Sequence, residues 1–143
     1  MRYALVGACI LGGLMATASP GLAASVRNAY FSNGQVVQGQ TYRSEGQLPG
    51  PVTTFVKGQD KTARLFIIFG DMDAHQLEGE LKAPDGKTVR RIDRKIDAHR
   101  TPANWRLVTQ GFDLEKLRPG EYSFGLKVDG EAKGKYTFTL RAP

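Results

Sequence analysis

The chain has 143 residues with a single cysteine, and its 20 lysines and arginines outnumber 14 aspartates and glutamates for a net charge of +6. That length is enough for one domain with one core, and a lone cysteine excludes a disulfide-stapled scaffold. The modest basic excess favours acidic partners such as anionic lipid head groups, polyanionic glycans or acidic proteins, with nucleic acid the weaker option, and it also serves plain solubility.

Residues 1–24 read as a secretory signal peptide. Arg2 supplies the positive start, Tyr3 to Met15 form a short apolar core, and Pro20-Gly21 break it before Leu22-Ala23-Ala24, so cleavage is expected after Ala24. The apolar run falls short of the roughly 20 residues that cross a bilayer, and the exported chain is expected not to be membrane-spanning. Cys9 after Val6-Gly7-Ala8 is a weak lipoprotein match, discounted because the apolar stretch continues through Ile10 and Leu11. Export leaves residues 25–143 as one domain that has lost Cys9 along with the signal. Its stability must come from burial alone, and the expected location is periplasmic or secreted.

Val26 to Phe31 alternates as a first, edge strand. The stretch at about 32–51 is rich in Gly, Gln and Ser and closes with Pro49-Gly50-Pro51. It reads as a polar, flexible loop, with Tyr42 and Arg43 as its side chains suited to a contact. Thr53 to Val56 forms a short strand. Ala63 to Phe69 is apolar without a break from Leu65 onward, so Phe66 and Ile68 need cover on the face that a sandwich normally leaves wet. The preceding loop is the favoured cover; another subunit, as in a homodimer, or a partner protein is the alternative.

His75 to Lys82 alternates, with His75, Leu77, Gly79 and Leu81 on one face, and Ala83-Pro84-Asp85-Gly86-Lys87 turns the chain back. In the next segment Val89, Ile92 and Ile96 have helical spacing, whereas a strand groups Ile92 and Ile96 with Arg90 and Arg94. A strand is preferred, because such a turn ordinarily joins two strands. After a loop at 97–103, Asn104 to Phe112 brings another strand.

Phe112 to Leu140 reads as a corner followed by a β-hairpin. Tyr122, Phe124, Leu126 and Val128 share one face of its first strand, and Tyr136, Phe138 and Leu140 share one face of its second. A two-residue turn at Asp129-Gly130 would set Val128 against Glu131 and Tyr136 against Ser123, mixing the faces. A three-residue loop (129–131) or a five-residue loop (129–133) is therefore expected. The run Leu114, Leu117, Pro119, Gly120, Tyr122 resembles the corner before the penultimate strand of immunoglobulin-like and fibronectin type III-like sandwiches, as found also in small bacterial envelope domains. The resemblance implies that Tyr122 folds back onto upstream backbone. The expected fold is all-β: a single immunoglobulin-like β-sandwich of about seven or eight antiparallel strands.

Several side-chain sets could carry chemistry. Asp71, Asp73 and His75 are metal-capable at alternate positions, but a zinc site wants three or four ligands with no convincing further partner here, and a solvated turn is the preferred reading. Ser25, Ser32, Ser44 and Ser123 with His75 and His99 show no nucleophile elbow. Glu78 and Glu80 sit side by side on an open face and read as solvated charges. A phosphate-cradling glycine loop is absent. No catalytic residue, metal or cofactor is expected. The remaining constellation is basic: Arg90, Arg91, Arg94, Lys95, Arg100 and Arg106, with His99 beside them and Trp105 and Tyr122 as candidate rings. Arginine forks suit carboxylate, sulfate or phosphate, although such a run also solvates a strand face and discourages edge pairing. The expected function is an exported non-catalytic interaction module for an envelope protein or an acidic surface polymer. The alternatives are a small metal-dependent enzyme or a periplasmic carrier of a small anionic ligand.

Overall fold

A computed structural model describes residues 26–33, 44–101 and 103–143; the signal segment and half of the polar loop, Tyr42 and Arg43 included, lie outside the described residues. Eight strands follow in order: β1 (Val26–Ser32), β2 (Thr54–Val56), β3 (Thr62–Phe69), β4 (His75–Lys82), β5 (Thr88–Ile96), β6 (Arg106–Asp113), β7 (Gly120–Val128) and β8 (Glu131–Arg141). They build a three-stranded sheet, β1-β3-β6, and a five-stranded sheet, β2-β8-β7-β4-β5. All pairings are antiparallel except β2 with β8. The segment before β2 stitches the sheets at one side: Val52 donates its N–H to Phe31 O of β1, and Thr53 O accepts from the Thr139 N–H of β8.

The inner faces are those the alternation marks. From the three-stranded sheet come Ala29, Phe31, Ala63, Leu65, Ile67, Phe69 and Phe112; from the other come Phe55, Leu77, Leu81, Ile92, Ile96, Phe124, Leu126, Val128, Phe138 and Leu140, all buried in one cluster. Aromatic rings chain through it, with Phe31 edge-on to Phe138 at 4.9 Å and Phe112 tilted against Phe124 at 5.3 Å. Truncating one such ring costs about 3–5 kcal/mol. Residues 88–96 are a strand: Ile92 and Ile96 turn inward with Arg90 and Arg94, and Val89 is left exposed.

Phe66 and Ile68 do not offer a partner surface. They are 0% and 1% exposed, covered from within by Leu48 and packed with Tyr30, Trp105 and Leu107. Leu48 follows a short 3₁₀ turn at Glu45–Gln47, and Tyr30 Oη fixes the same loop by donating to Pro49 O at 2.9 Å. Trp105, half-buried, gives part of its surface to this cover.

The β7–β8 connection corrects the expected loop length. It is the two-residue Asp129-Gly130 turn, with φ of 54° and 82°, the paired positive values of a type I′ turn. Val128 does face Glu131, but the register slips between Leu126 and Lys127: Lys127 faces Ala132 and Leu126 faces Gly134, leaving Lys133 as an extra residue in β8. This β-bulge shifts the register by one, so Phe124 meets Tyr136 and Tyr122 meets Phe138 with their faces matched. At the other end of β7, Tyr122 is 3% exposed, stacks on Phe138 and donates its hydroxyl to Arg118 O at 2.6 Å. It is a corner tyrosine, and its ring is unavailable to a ligand.

Candidate functional site

Two places gather polar side chains into a defined geometry. The first is the pole where the β3–β4 loop, the β5–β6 loop and the β7–β8 turn meet. His75, the first residue of β4, points inward and stacks on Phe69 with ring centroids 5.0 Å apart. Its side chain is 6% exposed. Nε2 lies 2.7 Å from Asp71 Oδ1 and Nδ1 lies 2.6 Å from Asp129 Oδ2. Asp129 also accepts the Gln76 N–H at 2.8 Å through its other oxygen. A neutral imidazole has one N–H and cannot donate to two carboxylates, so the imidazolium is the form this site satisfies. Burial works against that charge, but the hydrogen bonds and charges of Asp129 and Asp71 outweigh it and hold His75 above its ordinary value.

The Asp71, Asp73 and His75 set is thus divided. Asp73 contributes backbone: its N–H donates to Asp71 Oδ1, and its carbonyl accepts from Arg106. Asp129, 54 positions from His75, takes the second place beside the ring. With both nitrogens aimed at carboxylates, His75 has no lone pair for a metal, and no group of three or more metal-capable side chains occurs among the described residues.

The basic constellation is dispersed. Arg106 is 8% exposed and structural, donating to Asp97 O at 2.8 Å and to Asp73 O, with its guanidinium 5.4 Å from the centre of the Phe69 ring. It ties two loops of the pole together. Arg94 leans from β5 across the gap between sheets and donates to Thr109 O at 3.0 Å and Gln110 Oε1 at 2.9 Å. Arg90 shares that inward side but is exposed, Arg100 is exposed in the β5–β6 loop, and Arg91 and Lys95 alternate onto the outer face. Sequence adjacency on a strand separates neighbours to opposite faces, which is why the run does not converge.

The second place is the outer face of the five-stranded sheet, and it was not singled out from the sequence. A shallow concavity of about 530 Å³ lies over β4, β5, β7 and β8, lined among others by Glu80, Lys82, Arg91, Gly125, Lys127 and Lys135. The ladders set Arg91, Glu80, Gly125 and Lys135 in one row across four strands. Glu80 accepts Thr88 Oγ1 at 2.8 Å and lies 3.4 Å from Arg91. Its carboxyl is held below its ordinary value, first by the Thr88 hydroxyl and then by Arg91, with Lys82 and Lys127 adding to the effect. Asp93 is engaged by the Gln76 amide. Among the described residues no ion pair engages Lys82, Lys127 or Lys135. The signal for this site was present as the alternation of lysines on β7 and β8; what the sequence hid was the order of strands that brings them beside β4.

No protein-family model matches the chain, and no curated protein matches it. Among solved structures it is similar to an alkylpurine DNA glycosylase of Pseudomonas fluorescens bound to DNA containing an abasic site analogue. That match has 16% identity and a TM-score of 0.44, covers 63% of this chain, and spans only 28% of the glycosylase. It is also similar to an immunoglobulin-like protein from Pseudomonas aeruginosa, with 13% identity and a TM-score of 0.42, over 80% of this chain and 92% of the other. The chain's own two sheets and its Tyr122 corner give it the fold of an immunoglobulin-like β-sandwich.

Proposed function

We propose that the protein is an exported, non-catalytic interaction module that binds an acidic polymer of the cell envelope on the outer face of its five-stranded sheet. One observation carries the reading: among the described residues Lys82, Lys127 and Lys135 stand around an open concavity without a salt bridge, while of its three acids Glu80 is held by Thr88 and Arg91, Asp93 by Gln76, and Glu78 alone is unengaged. Arg91 and Lys95 extend the basic side chains of this face along the edge strand, and exposed Arg90 and Arg100 flank it. A polymer is favoured over a protein partner because the surplus apolar surface that argued for a protein is covered from within by Leu48 and Trp105. Export is supported by the basic start, short apolar core and small-residue end of residues 1–24.

The test is binding of the purified protein to polygalacturonate and dextran sulfate, with neutral dextran as control, over a range of salt. Retention on both acidic polymers, weakening as salt rises, is expected, since exposed charges are screened beyond a Debye length of about 8–10 Å. Lys127→Glu with Lys135→Glu should weaken binding about tenfold, roughly 1.4 kcal/mol. Equal behaviour toward acidic and neutral polymer, or no effect of the charge reversals, removes the reading.

A further inference from the structure

Gly125 sits inside β7, where a sheet gains nothing from glycine: it packs no side chain and gives up more chain entropy than any other residue. The fold supplies no reason for it. A Cβ built there meets nothing within 4 Å, and its φ lies outside the positive range. The other strand glycines differ. At Gly79 a Cβ would fall 2.3 Å from Phe124 Cζ, at Gly111 it would lie 3.2 Å from Thr62 Cγ2, and Gly120 and Gly134 have positive φ together with a close neighbour. Gly125 is therefore the one strand glycine, among the described residues, that the sandwich itself does not require. A glycine in that position is accounted for when another molecule approaches the backbone closely.

What surrounds the gap identifies that molecule. Lys127 is two residues along the same strand, Lys135 is directly opposite on β8, and Lys82 is on β4, whose Glu80 faces Gly125. The hydroxyl of Ser123, two residues the other way, lines the same concavity. Glu78 faces Lys127 across the β4–β7 ladder without pairing to it, and Glu80 is turned to Thr88 and Arg91. Ammonium groups act as compact point charges with rotatable donors, and three of them converging from different strands suit the outward-spread oxygens of a tetrahedral sulfate or phosphate group, whereas a planar carboxylate is better matched by the flat guanidinium fork. The geometry points to the notch over Gly125 as the seat of a single sulfate or phosphate group carried on the acidic polymer, held by Lys82, Lys127, Lys135 and the Ser123 hydroxyl. This deepens the proposed function and rests on it.

The experiment separates the notch from the general charge of the face. The amide signals of the isotope-labelled protein are followed during titration with sodium sulfate, sodium phosphate, sodium acetate and, at matched ionic strength, sodium chloride, and then with dextran sulfate. Saturable shifts centred on Ser123, Gly125 and Lys135 are expected with sulfate and phosphate, and at lower group concentration with dextran sulfate, but not with acetate or chloride. Gly125→Val fills the notch without changing the charge. It should leave the thermal midpoint unchanged or raised, and weaken sulfate binding at least tenfold. Gly125→Ser, smaller and polar, should fall between the two. If Gly125→Val binds sulfate and dextran sulfate as the wild type does, the notch is not the site, and salt-dependent polymer binding lost on lysine reversal still supports the broader reading. If chloride gives the same shifts, the ions are only screening and the notch proposal is overturned. If free sulfate binds and dextran sulfate does not, the polymer-borne group is overturned. Failure of every acidic polymer removes the proposed function itself.

Discussion

At the scale of single residues, His75 couples two connections through one proton. Asp71 belongs to the β3–β4 loop and Asp129 to the β7–β8 turn, and both close on the imidazolium. Because the folded state raises the pKa of His75 above its ordinary 6.5, the stability it contributes is fully present below 6.5 and is lost as pH rises through the raised folded value. Asp129 acts in the opposite direction. Burial disfavours its charge, but the Gln76 N–H and His75 hold it below 3.8, so its contribution is present above 3.8 and is lost as pH falls through the lowered value. Thermal unfolding followed from pH 3 to pH 9 should therefore show a midpoint that is highest between these limits and declines on both sides. His75→Asn, which keeps a polar group of similar size, should lower the plateau and flatten the alkaline decline. An alkaline decline of undiminished slope in that variant would assign the effect to another group. Asp129 could not be read into this cluster from the chain, where it appears as a turn residue 54 positions away; only the β4–β7 ladder, which sets Leu77 beside Val128, brings it to the ring.

At the scale of elements, the β4–β7 ladder depends on a glycine that has a reason to be there. The Phe124 ring lies over Gly79, and a Cβ at that position would be 2.3 Å from Phe124 Cζ and 2.5 Å from the carbonyl oxygen of Gly125. The oxygen is backbone and cannot step aside, so Gly79→Ala should cost about 1–3 kcal/mol or more through overpacking. Urea unfolding checks this, as a lower midpoint at an unchanged slope. The strands themselves were legible in the sequence, because a period of two is written directly in residues such as Tyr122, Phe124, Leu126 and Val128. So was the Tyr122 corner, since its neighbours Leu117, Pro119 and Gly120 fix a local turn. The turn at Asp129-Gly130 was misjudged for a physical reason: matching the faces by counting assumes unbroken ladders, and one extra residue at Lys133 restores the match that the two-residue turn disturbs. The cover over Phe66 and Ile68 comes from Leu48 of the preceding loop, as the sequence favoured, joined by Trp105, which no local pattern ties to β3.

At the scale of the whole molecule, the two ends of the five-stranded sheet are treated differently. One end is closed by β2, a three-residue strand that runs parallel to β8 and whose sequel binds back, Lys57 N–H donating to Arg141 O. The other end is β5, nine residues long, with one side hydrogen-bonded to β4 and the other side paired with no strand among the described residues. A long open edge is a template for pairing with a second copy. Arg90, Arg91, Arg94 and Lys95 against Asp93 give this edge an excess of three positive charges, so two copies approaching edge to edge repel. Arg94 is anchored to Thr109 and Gln110 and must stay for the packing of the sheets, which leaves Arg91 and Lys95 as the removable charges. Arg91→Thr with Lys95→Thr keeps strand propensity while lowering the excess to one. Sedimentation velocity over a concentration series should then show association that the wild type lacks, stronger at high salt because the remaining charge is screened. A double variant that sediments as the wild type does at every concentration would show that shape, and not charge, keeps the β5 edges apart. The same variant should keep the sulfate response proposed for the Gly125 notch, since Lys82, Lys127 and Lys135 are untouched and Glu80 remains hydrogen-bonded to Thr88.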